Sequence, residues 1–215
     1  MTATYPNWDY NGSDVIAQTA TALFQSRLKP CKLSPLVFMS DPAVIPNLIQ
    51  TVQRLPKHTA IIYRHFGKSN RQEEAQKLRQ ITFERRQQLL IGADPELAIG
   101  IGADGVHFKR DESLTGPYLW RKRCPNWIIS MAGIKSGKYS EDLSVLDGLF
   151  LSSVFPSNSL SAGSPIGVDI ISAQIQRHNC PVFALGGINE NTASKLIRSG
   201  ASGLAGIRGF TSITD

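Results

Sequence analysis

Eight short apolar runs recur along the chain, and their spacing constrains the fold more than any other feature. They are Leu36 to Met39, Ala60 to Tyr63, Gln88 to Ile91, Gly105 to Phe108, Trp127 to Met131, Gly148 to Ser152, Pro181 to Leu185 and Gly203 to Ile207. Their starts lie 17 to 33 residues apart, close to the length of one strand plus one crossover helix. Most runs are apolar throughout rather than alternating, as strands covered on both faces should be. A polar or Gly-rich loop and then a stretch of helical periodicity follow each run. The spacing therefore predicts an α/β chain, a single (β/α)8 TIM barrel formed as one domain over residues 1–215, with an extra N-terminal helix.

Helix start and stop signals agree with that pattern. Ser13-Asp14 caps a predicted helix over residues 13–28, expected as a plug or flank at the N-terminal end of the barrel. Asp41-Pro42 is expected to open a second helix, and Asp94-Pro95-Glu96 places a capping residue, an N1 proline and a first-turn acid in order. Gly102-Ala103-Asp104-Gly105-Val106 and Gly200-Ala201-Ser202-Gly203-Leu204 share a helix stop, a small corner and a strand start. They lie 98 residues apart, which is four βα units; Leu146-Asp147-Gly148-Leu149 is a weaker third copy.

Composition narrows the setting. The 3 cysteines, Cys31, Cys124 and Cys180, are scattered without C-x-x-C spacing, so a reduced cytoplasmic location is expected, without zinc or a disulfide framework. No apolar run is long enough for a transmembrane helix, and the first residues carry neither a basic n-region nor an h-region, so no membrane partner is expected. A net charge of +6 favours anionic partners. The basic residues are spread out; the densest cluster, Arg121-Lys122-Arg123, is followed by Cys-Pro rather than a second basic turn. Nucleic acid is therefore not expected as a partner, a phosphorylated small molecule is, and a homo-oligomer is left open.

In such a barrel the chemistry sits where the strands end. The first run delivers Ser40 and Asp41, the second Arg64, His65, Phe66, Gly67 and Lys68, and the third Gly92, Ala93 and Asp94. The fourth delivers Lys109, Arg110, Asp111 and Glu112, the fifth contains Ser130, and the sixth opens a loop with Ser152, Ser153, Ser157, Asn158 and Ser159. Gly186-Gly187 after the seventh run and Ile207-Arg208-Gly209 after the eighth match the position of a phosphate cup, where glycines let backbone N–H groups approach an oxyanion and a following helix adds its dipole. The alternative for Gly186-Gly187 is a plain turn into a helix capped by Asn189 or Asn191. Arg64, His65 and Lys68 suit either a diphosphate or a solvated surface. His107 fits a hydrogen-bonded core histidine better than an acid or base, Asp94 an N-cap better than a metal ligand, and Cys180 the core.

From Leu36 to Thr211 these residues resemble the thiamine phosphate synthase family, which also contains the thiazole tautomerases. Phe38-Met39-Ser40-Asp41-Pro42 looks like the family's first strand and its Thr-Asp ending, and Gly102-Ala103-Asp104-Gly105-Val106-His107 like its fourth-strand segment. Val154-Phe155-Pro156-Ser157 looks like its hydrophobic-aromatic-Pro-Thr loop, and Ala184-Leu185-Gly186-Gly187-Ile188 followed by Gly200-Ala201 is the most similar stretch. The resemblance implies joining of hydroxymethylpyrimidine diphosphate to a thiazole phosphate with release of diphosphate. It implies Mg2+ and basic residues balancing the leaving group, with no protein nucleophile. Carried over residue by residue, it gives Lys68 and Ser130 as catalytic. Arg64, Arg110, Ser157, Ser159, Gly186, Gly187, Ile207 and Arg208 are expected to bind substrate or phosphate, and Glu112 to ligate the metal.

Several positions depart from the family pattern. The Gln-x-Arg-x-Lys after the second strand is Arg64-His65-Phe66-Gly67-Lys68, so the lysine is kept and the arginine position is Phe66. Asn-Asp-Asp after the third strand is Gly92-Ala93-Asp94, which lacks an amide and one metal carboxylate. The lysine position of the sixth loop is Leu160, and the tautomerase histidine position is Ala132. Two function classes follow: a synthase with weak, loosely magnesium-dependent turnover, or a non-catalytic or regulatory protein that binds a thiazole or thiamine phosphate in the cup.

Overall fold

The computed structural model describes residues 14–109, 113–133, 142–159, 162–211 and 213. Eight parallel strands close into a barrel in chain order: β1 (Leu36–Met39), β2 (Ala60–Tyr63), β3 (Gln88–Gly92), β4 (Gly105–Phe108), β5 (Ile128–Ala132), β6 (Gly148–Leu151), β7 (Val182–Leu185) and β8 (Gly203–Gly206). Strand β8 pairs with β1, Val37 opposite Ala205, and so closes the ring. Three strands have the bounds expected from sequence; the others differ by one residue at one end or both. The (β/α)8 expectation holds.

Side-chain alternation explains why the runs are apolar throughout. Leu36, Phe38, Ile61, Tyr63, Leu89 and Ile91 belong to the large buried cluster formed with the surrounding helices. Their neighbours Val37, Met39, Ala60, Ile62, Leu90, Phe150, Phe183 and Ala205 form a second buried cluster inside the barrel. Phe150 stacks on Phe183 with centroids 5.0 Å apart.

Helix α1 (Val15–Ser26) begins where expected, with the Asp14 carboxylate accepting from the Ile16 and Ala17 amides. It packs against β8 and the 3-10 turn Ala193–Leu196, so it flanks the wall. The interior is plugged instead by the segment after it: Cys31 and Leu33 join the inner cluster, and the Cys31 thiol, pushed up to about 12 by burial, donates to the carbonyls of Leu33 and Asp147. The helix expected from Asp41-Pro42 starts later. Asp41 caps a turn through the Ala43 amide, and α2 (Leu48–Arg54) is capped by Asn47. Helices α3 (Arg71–Glu84), α4 (Pro95–Gly100), α5 (Thr115–Arg123) and α6 (Gly167–Arg177) follow, with Asp94 capping α4 through the Leu97 amide.

Two of the repeated corners perform one job, and the remaining one, with Ser202 in place of the acid, does not share it. Asp104 accepts from the Leu89 amide and Arg79, and Asp147 accepts from the Ile129 amide and Arg121; each carboxylate thereby ties the start of the preceding strand to a helix. Arg121 also donates to the carbonyls of Pro125, Trp127 and Val145, while Arg123 forms an exposed pair with Glu96. Two members of the basic cluster are thus engaged with the barrel's own groups. No helix among the described residues is long and apolar enough to cross a membrane.

Candidate active site

A cavity of about 470 Å3 opens at the carboxyl ends of β6, β7, β8 and β1. Its wall includes Gly186 and Gly187 after β7, Ile207 and Arg208 after β8, Ser157 and Ser159 after β6, and Arg64 after β2. The two glycines are required by shape. Gly186 and Gly187 have φ of +95° and +68°, and a Cβ on Gly187 would lie 2.4 Å from the Pro156 carbonyl oxygen. The β7 loop therefore lies directly on the β6 loop. Backbone hydrogen bonds from Val154 to Leu185 and from Phe155 to Gly186 join them.

The segment after the double glycine departs from both expectations for it. Neither a helix dipole nor an asparagine-capped α-helix follows. Asn189 and Thr192 close a tight turn in which the Thr192 hydroxyl donates to the Gly187 carbonyl, and only the 3-10 turn Ala193–Leu196 comes after. Positive potential at this end comes from Arg208 and from oriented backbone rather than a long helix.

Arg64 supplies the charge at the opposite wall. Its Nε donates to the Ser40 carbonyl at 3.1 Å, and its Nη2 stands 3.9 Å from Asp41. Burial lowers its pKa, with Asp41 partly offsetting. The described lining contains two guanidiniums, Arg64 and Arg208, and no aspartate or glutamate. His107 lies buried within β4 with Nδ1 3.0 Å from the Ser130 hydroxyl and its ring edge-on to Phe150. Burial first, and then the charge of Arg64, push its pKa down to about 3, so the imidazole is neutral, as expected of a core histidine.

Two residues carried over as catalytic lie elsewhere. Ser130 is fully buried against His107, and Lys68 donates to Glu74 at 2.7 Å. Neither lines the cavity. Glu74 also accepts from the Tyr63 hydroxyl at 2.8 Å and lies 2.7 Å from His65 Nδ1. Burial raises its pKa, but the hydrogen bonds from Lys68, Tyr63 and His65 outweigh burial, and the net shift is downward. Arg110, Glu112 and Leu160 lie outside the described residues.

The ends of β2 and β3 hold a group that local sequence signals do not announce. Arg71, the first residue of α3, places Nη1 2.5 Å from Asp94 Oδ2 and donates from Nη2 to the Gly92 carbonyl at 2.7 Å. Its role rests on contacts 21 and 23 residues away, which no local pattern encodes. Asp94 has one oxygen on Arg71 and the other on the α4 cap. The described residues contain no group of three or more His, Cys, Asp or Glu that would hold a metal. Glu112, the carried-over metal ligand, lies outside the described residues, and within them Asp94 already has both oxygens engaged.

Comparison with known proteins agrees with this architecture. The family described as TMP-TENI, thiamine monophosphate synthase, matches residues 36–210. The chain is 32% identical over 164 residues to the thiamine-phosphate synthase of Chloroflexus aurantiacus, covering 73% of this chain and 74% of that protein. It is 29% identical over 161 residues to the thiamine-phosphate synthase of Oceanobacillus iheyensis, covering 71% and 77%. Among solved structures, thiamine phosphate pyrophosphorylase from Pyrococcus furiosus superposes with a TM-score of 0.68 at 25% identity, covering 82% of this chain and 86% of that one. N-(5'-phosphoribosyl)anthranilate isomerase from Pyrococcus furiosus, at 13% identity and a TM-score of 0.54, shares the fold alone.

Proposed function

We propose, from the fact that this chain belongs to the thiamine monophosphate synthase family, that it acts in thiamine biosynthesis by joining hydroxymethylpyrimidine diphosphate to a thiazole phosphate. The observation that carries the proposal is the cavity with a double-glycine loop and Arg208 at one end and Arg64 at the other, its described lining free of acids. The thiazole phosphate sits in the cup formed by Gly186, Gly187, Arg208 and the hydroxyls of Ser157 and Ser159. The pyrimidine carbon–oxygen bond breaks, diphosphate leaves with the bonding pair, and the thiazole nitrogen supplies the pair for the new carbon–nitrogen bond. No protein nucleophile is required; the chain's part is to align the two rings and balance the leaving charge. Arg64 is suited to that balance because burial strengthens its field, and neutral His107 below adds no competing charge.

A second reading is favoured by a specific observation: Lys68 is held by Glu74 and Ser130 by His107, so two groups carried over as catalytic do not reach the cavity. In that reading the protein binds a thiazole or thiamine phosphate without turnover. Loss of one charge stabiliser costs on the order of 3 kcal/mol, about a hundredfold in rate. The deciding experiment incubates purified protein with both substrates, with and without magnesium, and follows thiamine phosphate, alongside calorimetry with thiamine phosphate. Product formation supports the synthase. Binding without product supports the second reading, and neither binding nor product would refute both.

A further inference from the structure

Two oxygens lie close together where β3 runs into α4: the Asp94 Oδ2 and the Gly92 carbonyl are bridged by the two terminal nitrogens of one guanidinium. A carboxylate and a carbonyl so placed are what a hard cation takes as ligands. Here the guanidinium is that of Arg71, whose two terminal nitrogens lie 2.5 and 2.7 Å from those oxygens. The guanidinium also lies over two rings, 5.8 Å from the Tyr63 centroid and 5.6 Å from that of Phe66. Its Nε is buried without a hydrogen-bond partner among the described residues.

The packing around it is interlocked. Phe66 is half exposed and its ring lies over Gly92, where an added Cβ would stand 3.2 Å from the ring and 2.9 Å from the Tyr63 carbonyl oxygen. A side chain at position 92 and the Phe66 ring therefore compete for one volume. With Gly92 bare, Phe66 covers Arg71, and Lys109 places its ammonium 5.1 Å from the other contact of the arrangement, the Phe66 ring centroid. The corner thus carries positive charge that is built into the chain, while the Asp94 and Gly92 oxygens are already occupied.

We propose that Arg71 is the resident cation of this corner and that the protein binds a diphosphate group beside it without a divalent metal. The nature of the anion rests on the synthase reading; the replacement of a metal by Arg71 does not. Arg71 neutralises Asp94 and leaves Lys109, over the Phe66 ring, to face the anion. An arginine fixed by two hydrogen bonds and two rings needs no reorganisation when the anion arrives.

The test uses the full chain and two probes. In titrations with Mn2+ alone, followed by the electron paramagnetic resonance signal of free ion, the wild type should take up none. Arg71→Ala should gain a site, and Arg71→Ala with Asp94→Asn, which keeps the α4 cap, should lose it again. Calorimetry with inorganic pyrophosphate should show binding in the presence of a chelator that added magnesium does not improve. Uptake of Mn2+ by the wild type, a folded Arg71→Ala that stays silent, or pyrophosphate binding that requires magnesium would each overturn the proposal. If Arg71→Ala does not fold, the wild-type titrations decide. Absence of pyrophosphate binding under both conditions removes the anion site, and a parallel titration with inorganic phosphate shows whether the cup of the synthase reading survives.

Discussion

Replacing Gly187 by alanine tests whether the close contact between the β7 and β6 loops holds the cup together. Position 187 has φ of +68°, so a Cβ there costs about 1 to 2 kcal/mol from backbone strain alone. The same Cβ would stand 2.4 Å from the Pro156 carbonyl oxygen and 2.8 Å from Phe155, so the β6 loop must retreat by roughly 1 Å to reach ordinary contact. Overpacking of this kind adds about 1 to 3 kcal/mol. Gly102 is the matched control: its φ is +64°, nothing lies within 4 Å of an added Cβ, and it sits at the opposite end of the barrel. Gly102→Ala should therefore lose about 1 to 2 kcal/mol and bind phosphate normally. Gly187→Ala should lose about 2 to 5 kcal/mol in denaturant unfolding and bind thiamine phosphate at least about tenfold more weakly by calorimetry, because Ser157 and Ser159 move with the loop. Equal stability losses in the two variants, together with undiminished binding by Gly187→Ala, would refute the reasoning.

Further outcomes follow from other contacts. His107 is neutral in the folded protein down to a pKa of about 3 but titrates near 6.5 when unfolded, so the unfolded state binds the extra proton and stability falls as pH falls below 6.5. His107→Gln should remove up to about 1.4 kcal/mol per pH unit of that slope between pH 5 and 6.5, above the range in which Glu74 loses its contribution; an unchanged slope would sink the assignment. Arg121→Ala should cost about 2 to 4 kcal/mol in urea unfolding by stripping four acceptors of their donor, whereas Arg123→Ala should stay within about 0.5 kcal/mol, and comparable losses would contradict the distinction. Ala93, a non-glycine residue at φ of +53°, should gain about 1 kcal/mol in melting experiments on replacement by glycine. Gly92→Ala should destabilise the wild type more than it destabilises Phe66→Ala, a non-additivity readable in a double-mutant cycle.

The strands were legible because burial on both faces leaves an unbroken apolar run, and the cup was legible because only glycine fits its backbone and its contacts. Signals of one residue type were less reliable where two local structures use the same chemistry. Asp41 reads as a helix cap but closes a turn, with the helix starting at Asn47; the asparagines after Gly187 read as helix caps but build a hydrogen-bonded corner around Thr192. Of the two roles expected for the first helix, plug or flank, it takes the flank; the plug is invisible in sequence because Cys31 and Leu33 fill the barrel from a segment with no periodicity. The catalytic roles of Lys68 and Ser130 came from resemblance alone. Their partners Glu74 and His107 lie 6 and 23 residues away, and the geometry of those pairs is a tertiary property.

The departures Phe66 and Gly92 read separately as losses of an arginine and an asparagine, yet in the fold they are one packing solution. The ring of Phe66 needs the space that a side chain at 92 would take, and Arg71 needs the ring and the Gly92 carbonyl. Changing any one of the three leaves the other two without their complement, so restoring the family's residue at one position exposes a clash or an uncovered charge rather than a working site. In the opposite half of the mouth loop packs on loop at Gly187, but there the glycines and Arg208 still line open space. The two halves are therefore free to differ: the phosphate cup remains an open cavity, while the β2–β3 corner is filled by side chains that fix its charge in advance.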